Sequence, residues 1–175
     1  MRTKLALLIA ASLLLAACGF ALRGSTSIAD EWQPIYVGGD RGSQELQQAL
    51  RRQLQISQVA TTRKRSDAKL IAEVQMLRHD KRSITLNREA RDAEYALYER
   101  ARLSLLDSQG RRLRGPTVLE QRRLVVNDAD NPVGEETESS IVRAEMREQL
   151  SIRLAQQLEY WSRQLTPDPA HAPAP

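Results

Sequence analysis

Apolar residues recur along this chain with two distinct periods, which together predict four strands and two helices. Alternation with a period of two, typical of half-buried strands, runs through 68–86, 93–106 and 117–127. A shorter β-rich run at 34–37 begins with proline, which fits the start of a strand but not the middle of a sheet. These runs predict one short strand followed by three long ones.

Spacings of three and four residues predict two amphipathic helices, at about 44–55 and 136–164. Ser43 is the expected N-cap of the first helix, and acidic residues at the start of the second favour a helix N-terminus. The second helix carries one long apolar stripe, formed by Val142, Met146, Leu150, Leu154, Leu158 and Trp161. A stripe of this length predicts packing into the protein core.

The period of two also assigns strand faces. One face of 93–106 is apolar except for Glu99, and it holds Tyr95, Leu97, Ala101, Leu103 and Leu105. One side of 117–127 carries Val118, Leu124 and Val126. The order β-α-β-β-β-α predicts an α+β fold, with two helices packed on one face of a four-stranded, mainly antiparallel sheet. The short first strand joins through the helical crossover, and the long strands form a meander.

The first residues read as an export signal for a lipoprotein. Arg2 and Lys4 form a basic start, an apolar run covers 5–15, and two alanines precede Cys18. This apolar run is too short to span a bilayer as a helix. Because Cys18 is the only cysteine, a disulfide within the chain is impossible, and the pattern resembles a bacterial lipobox. We therefore expect Cys18 to be acylated and to become the first residue of the mature protein.

This interpretation divides the chain into four parts. Residues 1–17 are a removed signal peptide, and 18–33 are a lipid-tethered linker. Residues 34–165 form a single α+β domain. Residues 166–175, rich in proline and alanine, are expected to be disordered because they cannot bury enough apolar surface to fold.

Charge is distributed unevenly along the chain. Residues 41–123 hold 19 basic and 10 acidic side chains, whereas 124–175 hold 4 basic and 9 acidic ones. A basic body predicts an anionic partner. Since an exported lipoprotein does not normally meet nucleic acid, we expect anionic lipid, lipopolysaccharide or an acidic protein surface instead.

The sequence offers little chemistry for catalysis. Its two histidines, His79 and His171, lie far apart, and acylation would make Cys18 unavailable as a nucleophile. Neither a phosphate-cradling loop nor a nucleotide fingerprint is present. We therefore predict a protein that is not an enzyme and has no cofactor beyond the covalent lipid on Cys18.

Basic residues form the more informative pattern. One group surrounds the first long hairpin and comprises Arg78, Lys81, Arg82, Arg88 and Arg91. Others lie near the opposite turn and on the last strand, namely Arg111, Arg112, Arg114, Arg122 and Arg123. Guanidinium groups fork onto phosphate oxygens, which suits the phosphates of lipid A. The alternative for each arginine is a solvated face that keeps the strands soluble and protects their edges.

Several segments together are similar to one known family. They include Cys18-Gly19-Phe20-Ala21-Leu22-Arg23-Gly24, Asp107-Ser108-Gln109-Gly110, and the runs at 35–37, 49–54, 82–84, 93–97, 143–147 and 156–158. In this order and spacing they resemble LptE, the family of lipopolysaccharide-assembly lipoproteins, over about 18–165. The chain departs from the family at Ala21, where histidine is common, and at 125–126, where aromatic residues are common. It also has Glu135 and Glu136 where some members are basic.

The resemblance implies a fold of two helices against a four-stranded sheet. It further implies a plug inside the LptD β-barrel of the outer membrane, which helps the barrel to assemble and binds lipopolysaccharide. The family has a basic ligand contact before the second long strand, and Arg88 occupies that position. Arg91 and Lys81 are secondary candidates because of their charge and their proximity in the hairpin.

Two hypotheses from different classes follow. The leading one is a lipid-anchored, periplasm-facing subunit of the lipopolysaccharide translocon, with LptD, lipopolysaccharide and outer-membrane lipid as its partners. The alternative is an envelope lipoprotein that binds anionic lipid or stabilises another outer-membrane assembly. The two differ in whether a barrel of matching stoichiometry accompanies the protein.

Overall fold

The computed structural model describes residues 26–77, 79–86, 88, 92–126 and 132–165. The predicted signal peptide, Cys18, the rest of the first half of the linker (19–25), Arg78, Arg91 and the tail at 166–175 lie outside the described residues.

The described residues form six strands and two α-helices. In chain order these are β1 (Ile35–Gly39), α1 (Gln44–Ile56), β2 (Thr61–Thr62), β3 (Leu70–Met76), β4 (Asp80–Leu86), β5 (Asp92–Asp107), β6 (Arg112–Val126) and α2 (Pro132–Ser162). The α+β class is as predicted, and both predicted helices are present. α2 begins at Pro132 and ends at Ser162, rather than spanning 136–164, and Ser43 precedes α1 without a capping hydrogen bond from its side chain. Strand β2 was not predicted, because two threonines are too short a run to show a period.

All six strands belong to one sheet, and most of its pairing is antiparallel. β5 pairs antiparallel with β3, β4 and β6, whereas β1 pairs in parallel with β2 and β3. β1 and β3 run in parallel because α1 carries the chain back across the sheet between them. The sequence order predicted this helical crossover but left the direction of pairing open.

The predicted strand at 68–86 follows one path but is not continuous. Met76 pairs with Ala101 and Asp80 pairs with Tyr98, so β3 and β4 lie along the same edge of β5. Between these two pairs, the path through β3 and β4 contains one residue more than the facing stretch of β5. We refer to this one-residue shift in register between β3 and β4 as the bulge. The bulge, together with β2, raises the strand count from the predicted four to six.

The main core lies between the sheet and both helices. Leucines at 46, 50 and 54 of α1 face leucines at 150, 154 and 158 of α2, and all six are buried. Beyond the bulge, a smaller cluster joins Tyr95, Leu97 and Val125 of the sheet to Met146 of α2. Helix α2 therefore covers both halves of the sheet, and the residues of its predicted apolar stripe pack into both clusters.

The predicted apolar side of the last strand is not a core face. Val118, Leu124 and Val126 share a side of β6, but their exposed fractions are 51%, 57% and 73%. The inward positions are instead Leu119 and the buried Val125. The reason is that the helices cover only one face of the sheet, so these three apolar residues on its other face remain exposed, whereas Ile71 and Leu106 on that face are buried in a small cluster of their own. β6 also starts at Arg112, earlier than the predicted 117, through a stretch of irregular pairing.

Candidate functional site

The hairpin of β4 and β5 carries the basic residues that the sequence singled out. Lys81 lies opposite Leu97 on the helix-facing side of the sheet, whereas Arg82 lies opposite Ala96 on the uncovered side. Arg88 is exposed in the turn that joins the two strands. The structure thus places Lys81 and Arg88 on one hairpin, as expected, while Arg91 falls outside the described residues.

Lys81 is held in position by an aromatic ring. Its ammonium nitrogen lies 4.0 Å from the ring centroid of Tyr95. Tyr95 is buried, and its hydroxyl lies 2.9 Å from the Ser139 hydroxyl on α2. A cation–π contact of this kind contributes about 0.5–1 kcal/mol at an exposed site. The position of the Lys81 ammonium group is therefore set by Tyr95, which is itself hydrogen-bonded to α2.

On the uncovered side of the sheet, three arginines surround Tyr98. Guanidinium carbons lie 5.1, 5.3 and 5.9 Å from its ring centroid, and they belong to Arg82, Arg100 and Arg122, respectively. The sequence indicated Arg82 and Arg122 but did not bring them together, and it missed Tyr98 and Arg100. The available signal was the period of two, which places positions 98 and 100 on the face opposite Tyr95 and Leu97.

Two acidic residues neutralise much of this tyrosine–arginine cluster. The Arg100 guanidinium donates to Glu120 at 2.5 Å and to Asp80 at 2.7 Å. These hydrogen bonds, that to Glu120 first, raise the pKa of Arg100 above its ordinary value. Within the described part of the chain Arg122 makes no ion pair, so it is the member most available to an outside anion.

A buried carboxylate links the hairpin to the helix layer. Glu99 is fully buried, and its Oε1 accepts from Arg143 Nη1 of α2 at 2.9 Å. Its Oε2 lies 2.8 Å from Nδ1 of His79, next to the bulge. The sequence showed Glu99 only as an interruption of an apolar face. Its partners lie 20 and 44 positions away along the chain, so no local pattern could have revealed them.

Two arginines near the opposite turn, Arg111 and Arg114, have structural contacts. Burial alone would raise the pKa of the Asp107 carboxyl, but hydrogen bonds from the Arg111 backbone and side chain hold that pKa below its ordinary value. Arg114 donates to the backbone carbonyl of Gln164 at 3.1 Å, which ties β6 to the end of α2. These residues lie at the other end of the sheet from Arg88 and form no common site with it.

Other kinds of site are not visible in the described part of the chain. There, no group of three or more histidine, cysteine, aspartate or glutamate side chains is placed to hold a metal ion. Likewise, no helix among the described residues has the length and apolar content needed to cross a membrane.

The fold is shared with solved structures of bacterial lipoproteins. Lipoprotein B from Nitrosomonas europaea has a TM-score of 0.67 and 18% identity, with 83% of this chain and 93% of that one covered. Rare lipoprotein B from Shewanella oneidensis has a TM-score of 0.64 and 18% identity, covering 74% and 96%. A minor lipoprotein from Acinetobacter baumannii has a TM-score of 0.59 and 19% identity, covering 74% and 92%. At these identities the likeness establishes the fold.

The chain thus has the α+β fold seen in these lipoprotein structures. A family model described as lipopolysaccharide-assembly, LptE, matches residues 32–158, and the chain belongs to the LptE family. This confirms the resemblance seen in the sequence. No curated protein sequence matches the chain significantly.

Proposed function

We propose that this LptE-family protein is the plug and assembly subunit of the LptD translocon. In this role it is held in the outer membrane by acyl chains on Cys18 and faces the periplasm. It helps to deliver lipopolysaccharide to the outer leaflet, and it contacts lipopolysaccharide through the β4–β5 hairpin. It carries out no catalysis and needs no cofactor beyond its covalent lipid.

The observation that carries this proposal is the basic hairpin at one end of the sheet. Arg88 is exposed in the turn, and Lys81 lies near the other end of β4, on the helix-facing side, where Tyr95 holds it. Two cations on one hairpin, one of them a guanidinium that can fork onto phosphate oxygens, match the anionic head of lipopolysaccharide. Family membership supplies the lipopolysaccharide-assembly context.

The uncovered side of the sheet supports a large protein partner. Helices cover only the other side, and the open side combines exposed valines and leucine with the tyrosine–arginine cluster. Tyrosine, arginine and apolar side chains together are typical of protein–protein interfaces. A barrel wall around the protein would cover this surface.

The barrel partnership is tested by mild-detergent purification of tagged full-length protein from its own outer membrane. We expect an LptD-sized barrel to co-purify at a ratio near one to one, because a plug occupies one lumen. Recovery of the protein alone, or with an unrelated assembly, would contradict the plug role. That result would favour the alternative, a lipoprotein that binds anionic lipid or stabilises another assembly.

Arg88→Glu is expected to weaken lipopolysaccharide binding about tenfold, because one charge-assisted contact is replaced by repulsion. Binding is measured by titrating purified protein with lipopolysaccharide, and circular dichroism checks that the fold is retained. Arg41→Glu, at an exposed site in the turn before α1, makes the same charge change away from the hairpin and should bind as the parent does. Equal binding by parent and Arg88→Glu would remove Arg88 from the contact.

Lys81 and Arg91 remain secondary candidates. Since the Lys81 ammonium already interacts with Tyr95, Lys81→Gln should have a smaller effect on lipopolysaccharide binding than Arg88→Glu has.

A further inference from the structure

A polar groove lies between the second half of α1 and the short strand β2, away from the basic hairpin. Its volume is about 290 Å³, and it is lined by Gln48, Arg51, Arg52, Gln55, Thr61, Thr62 and Arg63. This described lining therefore contains three arginines and four neutral polar side chains, with no acidic residue. Such a lining offers hydrogen-bond donors to an anion, and none of the lining residues is a carboxylate.

Local structure explains why these side chains share a groove. Residues 48, 51, 52 and 55 are three or four positions apart on α1 and therefore lie on one face of that helix. Gln55 Nε2 donates to the Thr61 hydroxyl at 3.2 Å, which joins this face to β2. Arg63 follows directly after β2 and closes the lining from the other side.

The arginines are only partly engaged by the protein. Arg51 is half-buried, its Nη2 donates to the Val37 carbonyl at a long 3.3 Å, and its buried Nε has no hydrogen-bond partner. Arg52 pairs with Glu148 at 3.3 Å, and both side chains are substantially exposed. For Arg63, the described residues provide no ion pair. The groove thus holds three guanidinium groups, of which only that of Arg52 has an ion-pair partner among the described residues.

The position of the groove favours a ligand at the membrane surface. The Thr26 backbone amide donates to the Ser57 hydroxyl at 3.0 Å, so the chain enters the fold beside the end of α1 that carries Gln55. The eight Cα–Cα steps from Cys18 to Thr26 span at most roughly 27 Å. An acyl anchor on Cys18 would therefore keep this end of the domain close to the lipid headgroups.

We propose that this groove binds a phosphate group, and that the phosphate belongs to the headgroup of a membrane lipid. The inference rests on the proposed acyl anchor only for the source of the phosphate. Recognition of phosphate by the three arginines does not depend on the LptD partnership or on the Arg88 contact. The phosphate site can therefore fail while the proposed function holds, and the proposed function can fail while the phosphate site holds.

The test uses the mature chain from residue 18 with Cys18→Ser, which removes the lipid without shortening the chain. Inorganic phosphate is titrated at constant ionic strength, and arginine Nε–H signals are followed by NMR. In parallel, vesicles of phosphatidylcholine with phosphatidic acid are compared with vesicles in which oleate supplies the same negative charge. We expect saturable shifts for Arg51 and Arg63, together with preferential binding to the phosphatidic acid vesicles.

Variants locate the site. Arg63→Gln should weaken binding of inorganic phosphate and of phosphatidic acid vesicles about tenfold. Arg163→Gln removes the same charge from an exposed arginine that does not line the groove, and should leave both unchanged. Arg51→Gln is a second variant, with its folding checked by thermal unfolding.

The two arms distinguish the sources of phosphate. Binding of inorganic phosphate without a preference for phosphatidic acid vesicles would overturn the lipid assignment and leave a free-phosphate site. Absence of binding in both arms, or equal binding by Arg63→Gln and the parent, would overturn the site itself. Loss of barrel co-purification in Arg63→Gln, with no phosphate binding by the parent, would make the groove a protein contact instead.

Discussion

Arg143→Met is expected to lower the free energy of unfolding by about 3 kcal/mol or more. The reason is that Glu99 is fully buried and Arg143 supplies the hydrogen-bonded charge on one of its two oxygens. Without Arg143, the carboxylate keeps only His79, whose side chain is half exposed. Unfolding in urea, followed by circular dichroism at neutral pH, measures the loss.

Helix α2 offers a matched control one turn further on. Arg147 has the same 22% side-chain exposure as Arg143, but its partner Glu45 is 77% exposed. Arg147→Met should therefore cost no more than about 1 kcal/mol, as expected for a surface ion pair. Comparable losses in the two variants would mean that burial of Glu99 does not decide the stability of the pair.

A double variant separates lost packing from buried charge. Glu99→Gln in the Arg143→Met background removes the uncompensated carboxylate, so it should recover part of the lost stability. If the double variant were less stable than Arg143→Met alone, the charge explanation would be wrong.

Gly39→Ala is expected to destabilise the protein by about 3 kcal/mol or more. Gly39 pairs with Val74 in the parallel ladder, and a Cβ atom on Gly39 would lie only 1.8 Å from the Val74 carbonyl oxygen. That oxygen belongs to the backbone, so relief requires β1 and β3 to separate. Thermal and urea unfolding measure the effect.

Gly42→Ala provides the comparison, because it makes the same substitution three positions later in open space. The nearest atom to a Cβ atom on Gly42 is an Asp40 carboxylate oxygen at 3.7 Å, an ordinary contact. Stability should change by no more than about 0.5 kcal/mol. Similar effects at the two glycines would show that the close approach at Gly39 relaxes without cost.

The sequence predicts much of the fold because burial on the helix-facing side follows simple periods. The alternation in β5 identified its inward face, and all five of its predicted apolar residues are buried. The same reasoning fails on β6, where Val118 and Leu124 lie on the uncovered side. Periodicity shows which residues share a face, but only tertiary packing decides which face a helix covers.

Within the candidate site, residue type was predictable and pairing was not. The basic character of the hairpin follows from composition, and the structure places Lys81 and Arg88 there. In contrast, the contacts of Glu99 with His79 and Arg143 depend on the bulge and on the placement of α2 over β5. Residues 77–79, between β3 and β4, include no glycine or proline that would indicate an interruption, so the sequence predicted one uninterrupted strand.

The bulge faces the middle of β5, and the two ends of β5 on either side of it differ in how much packing stabilises them. One end of β5 lies in the main core beneath both helices, whereas the end near the hairpin has only α2 and the small cluster around Tyr95. Amide hydrogens near Tyr95 should therefore exchange with solvent through local openings, while those near Leu103 exchange only when the whole domain unfolds. The tip that carries Arg88 can then adapt its shape to a bulky ligand without loosening the core.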